Sequence, residues 1–437
     1  MTSFHQKRVA GWSNVLPTTT SLAEGPEDWD RIAALPGTAL IARGSGCSFG
    51  DASYLGGGFT YSTLIHRTIS PFDTAHGTIE VGAGVTMGSL HRYLDSTPYE
   101  FAIFGGTERA TVGGAVAGDI HGKNHSVAGS FGHHVVALRL ATVDTRRINC
   151  SATVESELFR ATIGGMGLTG FIESVTLALQ PRQESAVCQH RRIVCGLTEM
   201  EALFASTDAE FNYCTWFDLA RNGARGLFCQ AERVEEPLAA ARRVIMLPLP
   251  RVALLQPWTI GLAGKAILGL ARRKQAIVHI RDFNYSGLHE VFPNWNKLYS
   301  RKGMIEYQFV LPDADFTAVL QELVSMARHH SLGLLAAVVK KFGAHRSVGL
   351  LSFPLPGYTI NFQMPNTAEA VGFLQDFTDL LLNCGGKVNL TKDSCITANQ
   401  FSRMFDNLSE WRQIVRGIDP DHRIRSGLSN RLGMKPW

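Results

Sequence analysis

The stretch "GGTERATVGGAVAGDIHGKNHSVAGSFG", residues 105–132, holds eight glycines in 28 positions, together with Asp119, His121, Lys123 and His125. It reads either as a mobile linker or as a backbone shaped around a bound group. Glycine allows positive φ and close approach of the main chain, so successive N–H groups can converge on a phosphate without side chains in the way. A second glycine turn lies within "TALIARGSGCSFGD" (38–51), where a short apolar run enters the glycines. Two such loops, the second followed at once by His121 and Lys123, point to a diphosphate guest. Glycines that merely serve turns explain the same pattern equally well at this level.

Working outward, "GTIEVGAGVTMGSLHRYLD" (77–95) reads as strand, glycine turn and helix. Its glycines 82, 84 and 88 are spaced GxGxxxG, one residue too long for a dinucleotide fingerprint, and no clear ribose-binding acid follows. From 135 to 180, two strand-like runs flank a short helix, SELFRATIG. After Pro181 the strands lengthen, as in 304–311 and 358–364, and amphipathic helices accompany them at 313–331 and 367–383. That pattern predicts an antiparallel sheet covered by helices, hence an α+β chain, with a short strand and a polar helix after 386. The expected division is 1–184, 185–386 and a C-terminal segment, 387–437, that returns to the first part.

The composition excludes several classes. With 437 residues the chain is long enough for two domains, and 45% hydrophobic against 18% charged residues describes a folded enzyme rather than a disordered tail. A net charge of +4, without basic runs interleaved with aromatics, argues against nucleic acid. Eight scattered cysteines form neither a zinc ribbon nor a disulfide framework. The start, MTSFHQKRVAGWSN, lacks a signal-peptide core, so a cytoplasmic location is expected. His121 and His125 stand at i, i+4, the spacing of a helical metal pair, and a metal hydrolase is the non-flavin alternative. Gly122 between them makes the helix doubtful, and no metal site is assigned.

The motifs "ARGSGCSFGDASYLGGG", "VGAGVTMGSL", the 105–132 stretch, "LFRATIGGMGLTGFI", "LSFPLPGY", "TKDS" and "DPDHRIRSGLSNRL" run nearly end to end. In them the chain resembles the FAD-dependent decaprenylphosphoryl-β-D-ribose 2-oxidases, which have the two-domain vanillyl-alcohol-oxidase type FAD-binding fold with an antiparallel-sheet substrate domain. The resemblance implies that Arg43, Gly44, Ser45, Gly46, Cys47, Ser48, Phe49, Gly50 and Asp51 hold the FAD diphosphate. It implies that Gly105, Thr107, Ala110, Thr111, Val112, Gly113, Ala117, Gly118, Asp119, Ile120, Ile172 and Asn389 line the rest of the cofactor. Flavin gains negative charge at N1 and the C2 carbonyl on accepting hydride, and Lys392 in "LTKDS" matches the family lysine that would oppose it. Oxidising a secondary alcohol also requires removal of the hydroxyl proton, and His121 is the candidate base, with a structural histidine as its plain alternative. Lys123, Trp216, Tyr285, Gln308, Lys340, Thr359 and Asn361 fall where the family places the substrate pocket.

The chain departs from the family pattern at four of these positions. Thr359 and Asn361 stand where Asn and Cys are common, and Asn389 and Phe49 replace tyrosines. The sugar or its carrier could therefore differ: the resemblance implies oxidation of a polyprenylphosphoryl ribose as half of an epimerisation, completed by a separate NAD(P)H-dependent reductase. A soluble sugar, nucleoside or polyol is the alternative substrate. Cys47 occupies the position where related oxidases often carry a flavin-linking histidine, which leaves noncovalent FAD or a cysteinyl thioether. The apolar, proline-broken segment 244–274, flanked by Arg and Lys, could rest on an anionic membrane or pack as a helix pair.

Overall fold

The structure is a computed structural model that describes residues 4–222, 225–236, 254–255, 258–259, 262, 268, 275–286, 295–299 and 302–436. Two small sheets come first. One runs His5–Val9, Thr18–Ala23, Phe59–Ser62 and Leu40–Arg43 in spatial order, its first pair antiparallel and the others parallel. The other is antiparallel: Thr78–Gly82, Phe171–Ala178, Val135–Ala141 and Arg147–Ser151. Trp29 joins them, its ring 5.9 Å from Tyr61 of the first sheet and 5.5 Å from Phe171 of the second. Its indole N–H donates to the Thr142 carbonyl at 3.2 Å, which satisfies the one polar atom that this burial would otherwise strand.

A third, eight-stranded antiparallel sheet follows, in the order Gln275–His279, Ala186–Val194, Gly226–Val234, Phe211–Asp218, Leu335–Phe342, Gly357–Pro365, Met304–Leu311 and Lys387–Val388. Side-chain alternation gives it two different faces. Ile305, Tyr307 and Phe309 join the main core beneath helices Phe316–His329 and Ala368–Asn383, with Phe309 5.2 Å from Phe377. Glu306 and Gln308 point the other way. The strand is buried along its whole length, so two polar side chains are held inside on one face.

The last residues return to the first sheets. Phe49 N–H donates to Thr391 O at 2.9 Å, Leu40 N–H to Arg423 O at 3.0 Å, and Leu428 N–H to Asp51 O at 3.1 Å. A Cβ on Gly50 would collide with the Asp393 carbonyl, so this glycine serves close approach of the C-terminal segment. Arg431 clamps the contact, reaching Asp51 at 3.0 Å and Asp393 at 2.8 Å. The glycines of the rejected fingerprint also serve packing: Cβ atoms on Gly82 and Gly84 would meet the carbonyls of His66 and Thr63.

Most of 244–274, where the membrane reading falls, lies outside the described residues. Within it Leu254, Trp258 and Leu262 are exposed. No described helix is long and apolar enough to cross a membrane.

Replacing Arg431 by Met strands two carboxylates that are almost fully buried. Breaking a buried pair from one side costs about 3–5 kcal/mol. Urea unfolding followed by tryptophan fluorescence should show a correspondingly lower midpoint.

Candidate active site and cofactor cleft

A cleft enclosing about 1130 Å³, part of it open to solvent, runs between the two small sheets and the C-terminal return. Its walls are main chain more than side chain. Gly44, Gly46, Gly106, Gly113, Gly114 and Gly118 line it with Ser45, Cys47, Ser48, Phe49, Thr107, Ala110, Thr111, Ala117, Ile120 and Ile172, and Lys392 enters from the far terminus. The two glycine loops are tied together. Ser45 Oγ donates to the Arg109 carbonyl at 2.5 Å, and a Cβ on Gly44 would collide with Thr111 Oγ1. The stretch at 105–132 is thus a built wall: Thr111 caps the short helix Val112–Ala117, its Oγ1 accepting from Gly114 N–H at 3.3 Å.

The remaining residues expected at the cofactor support this wall without lining it. Arg43 donates to Ser53 Oγ at 2.9 Å and Ala10 O at 3.0 Å, beneath the loop. Asp51 is taken by Arg431, Val112 lies in the core, and Gly105 packs on Ile120. Asp119, fully buried at φ +40°, accepts from Ser130 Oγ at 3.0 Å and Gly132 N–H at 2.8 Å, which closes the turn that presents His121. Burial pushes its carboxyl above the usual range.

The polar face of the large sheet meets the cleft at Lys392. Lys392 Nζ lies 2.9 Å from Glu306 Oε1 and 5.3 Å from the centre of the Phe49 ring. Glu306 also accepts from Asn361 Nδ2 at 3.0 Å and Gln363 Nε2 at 2.7 Å. Beside it on the same face, Gln308 contacts Thr359 Oγ1 at 3.0 Å, Asn389 Nδ2 at 2.9 Å and His121 Nε2 at 3.1 Å. Lys340, paired across the sheet with Thr359, makes no hydrogen bond or ion pair to the described residues. Burial, reinforced by the Lys392 and Lys123 charges, pulls its ammonium down to about 7. Lys123 is also lowered to about 7 by burial. It sits 4.5 Å from the Tyr213 ring centre and donates to Phe283 O at 2.6 Å and Ser286 Oγ at 3.1 Å.

His121 stands where the glycine wall meets the sheet, its ring 4.8 Å from Phe342 and 5.7 Å from Phe353. Burial first, then the charges of Lys340, His125 and Lys392, holds its imidazole well below its usual range, so it is neutral at pH 7. His125 is 6.4 Å away, centre to centre, with Nδ1 accepting from Gly343 N–H at 3.3 Å. Among the described residues no group of three or more His, Cys, Asp or Glu could hold a metal ion.

Two expected pocket residues lie elsewhere. Trp216 is 0% exposed and points to the helix-covered face, its ring against Gly226, because alternation along Phe211–Asp218 sends Tyr213 and Thr215 to the polar face and Trp216 away. Tyr285 packs 6.0 Å from Phe104 in a separate apolar cluster near Lys123. Glu306, the carboxylate at the centre of the polar face, was absent from the sequence reading. A charged residue two places from a glutamine in an otherwise apolar strand was its one available signal.

Residues 30–151 match a family model described as an FAD binding domain. The whole chain is 31% identical over 452 aligned residues to the decaprenylphosphoryl-β-D-ribose oxidase of Mycolicibacterium smegmatis, covering 98% of this chain and 97% of that protein. The chain belongs to the decaprenylphosphoryl-β-D-ribose oxidase family. It is an FAD-dependent oxidoreductase of the vanillyl-alcohol-oxidase type, acting on CH–OH groups. Shorter matches are to L-gulonolactone oxidase from Bos taurus, 28% over 141 residues (32% of this chain, 31% of that protein), and to D-arabinono-1,4-lactone oxidase from Eremothecium gossypii, 23% over 222 residues (48% and 41%).

The cleft fits FAD on its own chemistry. Among the described residues none of its lining side chains is acidic, and Lys392 is the cation. The N–H groups of Ser45, Gly46 and Ser48 have no partner among the described residues, so they are available to phosphate oxygens.

The two depressed lysines set a pH dependence. Unfolded, each holds its proton up to an ordinary value of 10.5; folded, each releases it near 7, so unfolding takes up protons between those values and stability rises with pH. The urea midpoint should climb from about pH 7.5 to about pH 9. Lys340→Met should be more stable at the lower pH and show roughly half the climb, since Lys123 retains its own share.

Proposed function

We propose that this enzyme oxidises a secondary hydroxyl of a sugar to a ketone, by the reaction that the resemblance assigns to the 2-position of a polyprenylphosphoryl ribose. One observation carries the reading: the cofactor cleft opens, at Lys392, onto a sheet face bearing Glu306, Gln308, Lys340, Thr359 and Asn361, with a neutral histidine at the junction. Such a face offers several donors and acceptors to a polyhydroxylated substrate and, in Lys340, an ammonium without a partner among the described residues to a phosphate. The relative from Mycolicibacterium smegmatis, named for a decaprenylphosphoryl ribose, supports the lipid-phosphate carrier.

Bound FAD would supply the acceptor for the hydride of the carbinol carbon. His121 takes the hydroxyl proton at Nε2, the ring nitrogen that faces the sheet. Lys392, held by Glu306, would offer positive charge to the bound ring as it gains negative charge on reduction. The glycine loops at 44–50 and 105–118 would hold the cofactor, offering main-chain N–H groups to its diphosphate. The keto product then needs an NAD(P)H-dependent reductase to complete an epimerisation, and the 244–274 segment would bring the enzyme to the lipid surface that carries its substrate.

A soluble sugar, nucleoside or polyol is the second reading. It is favoured by the departures at Thr359, Asn361 and Asn389, all of which join the polar network. Anaerobic mixing with polyprenylphosphoryl ribose, nucleosides and free sugars separates the two by which compound bleaches the flavin.

His121→Gln should keep its flavin colour while bleaching slows by about 10²–10⁴-fold, the usual contribution of a positioned base. The imidazole is already neutral at pH 7, so the wild-type bleaching rate should show no acid limb between about pH 6.5 and about pH 8. Stopped-flow absorbance measures both.

A further inference from the structure

We propose that Asn389 and Gln308 are positioning residues that fix His121 as the tautomer with hydrogen on Nδ1 and a lone pair on Nε2. The argument starts from a group that cannot reverse. The Thr391 peptide N–H can only donate, and it points at the Asn389 side chain at 3.0 Å, so the atom it meets is the oxygen. The Thr391 hydroxyl approaches the same oxygen at 2.7 Å. The other end of Asn389 is therefore its NH₂, which donates to Gln308 at 2.9 Å, and the Gln308 atom that receives it is Oε1.

That choice turns the Gln308 NH₂ toward Thr359 Oγ1 at 3.0 Å and His121 Nε2 at 3.1 Å. Thr359 is free to accept because its own hydroxyl donates to the Phe309 carbonyl at 2.7 Å. An NH₂ group has no lone pair to offer, so His121 Nε2 accepts. In a neutral ring the hydrogen then resides on Nδ1, which is buried and has no partner among the described residues. Three links carry an orientation from a main-chain amide to an imidazole. Asn389 replaces a family tyrosine, so the first side-chain link depends on this chain's own residue.

The functional meaning rests on the base role proposed for His121. A hydroxyl entering between Gln308 and His121 meets a matched pair: it accepts from the Gln308 N–H and donates to Nε2. The opposite tautomer would present two donors to the substrate oxygen and no acceptor for its proton.

The test uses the full-length, FAD-loaded protein with ¹⁵N-labelled histidine, correlating ring protons with both ring nitrogens and assigning His121 by its loss in His121→Gln. The expected wild-type pattern is a hydrogen-bearing Nδ1 and a bare Nε2. Asn389→Asp has no donor for Gln308, whose amide should turn over to donate to the carboxylate. Oε1 then faces His121, and the hydrogen should move to Nε2, so the two nitrogen signals exchange type. A wild-type ring protonated at Nε2, or an aspartate variant that retains the wild-type pattern, overturns the proposal. Should that variant lose its flavin, Gln308→Glu, an acceptor-only side chain at the same place, must give the same exchange; the unexchanged pattern there is equally fatal. In Gln308→Glu the new carboxylate also favours imidazolium, so the acid limb of substrate bleaching should move up by about one pH unit or more. The tautomer is read without turnover, so its failure is distinct from failure of the base assignment in the His121→Gln experiment.

Discussion

The site depends on one contact made late in the chain: residues 389–393 laid against the first glycine loop. The Phe49 N–H to Thr391 O bond, the bare α-carbon of Gly50 under the Asp393 carbonyl, and the Asp51–Arg431–Asp393 clamp hold that contact. Without it Lys392 has no place in the cleft wall. The clamp consists of charges that are costly to bury, and removing the arginine leaves two carboxylates without their cation. A contact of this kind gives register more than net stability, and register is what a lysine from the far terminus needs to meet a loop near residue 47.

Electrostatically the junction is overloaded with positive charge. Lys392 and Lys123 act on Lys340, Glu306 is a carboxylate near Lys392 and Lys340, and two of the three lysines are driven toward neutrality. Such an arrangement weakens the folded protein and prepares it for an anion. Negative charge arriving there relieves a repulsion that already exists and so binds more tightly than it would to paired lysines. Glu306 limits the excess, yet it is held by Lys392, Asn361 and Gln363 at once. Three of its roughly four lone-pair positions are thus taken.

The glycine loops were legible in the sequence because each needs backbone where a side chain would collide, and only one residue type permits that. The large sheet and its helices were legible through periodicity: runs at 304–311 and 358–364 became strands Met304–Leu311 and Gly357–Pro365, and the helices lie within the ranges expected. The face toward which a strand residue points was harder to read. Trp216 and Tyr213 differ by three positions and lie on opposite faces, and nothing local in FNYCTWFD says which set meets the site. Asp51 shows a second limit. A polar residue in a cofactor loop reads as a ligand contact, whereas here it holds Arg431, which lies 380 positions away in sequence.

The departures from the family pattern share a physical logic. Asn361 donates to Glu306, Thr359 accepts from Gln308, and Asn389 donates to Gln308, so three of the four altered residues are engaged by polar side chains of the Met304–Leu311 strand. Short amides and a hydroxyl can satisfy buried polar groups without filling much space, whereas a tyrosine at 389 would bring a ring and a rotatable hydroxyl to the same place. A rotatable hydroxyl can donate or accept, so it would leave the Gln308 orientation open. An asparagine whose oxygen is pinned by a peptide N–H leaves it closed. The asparagine therefore sets a fixed direction of hydrogen bonding toward His121.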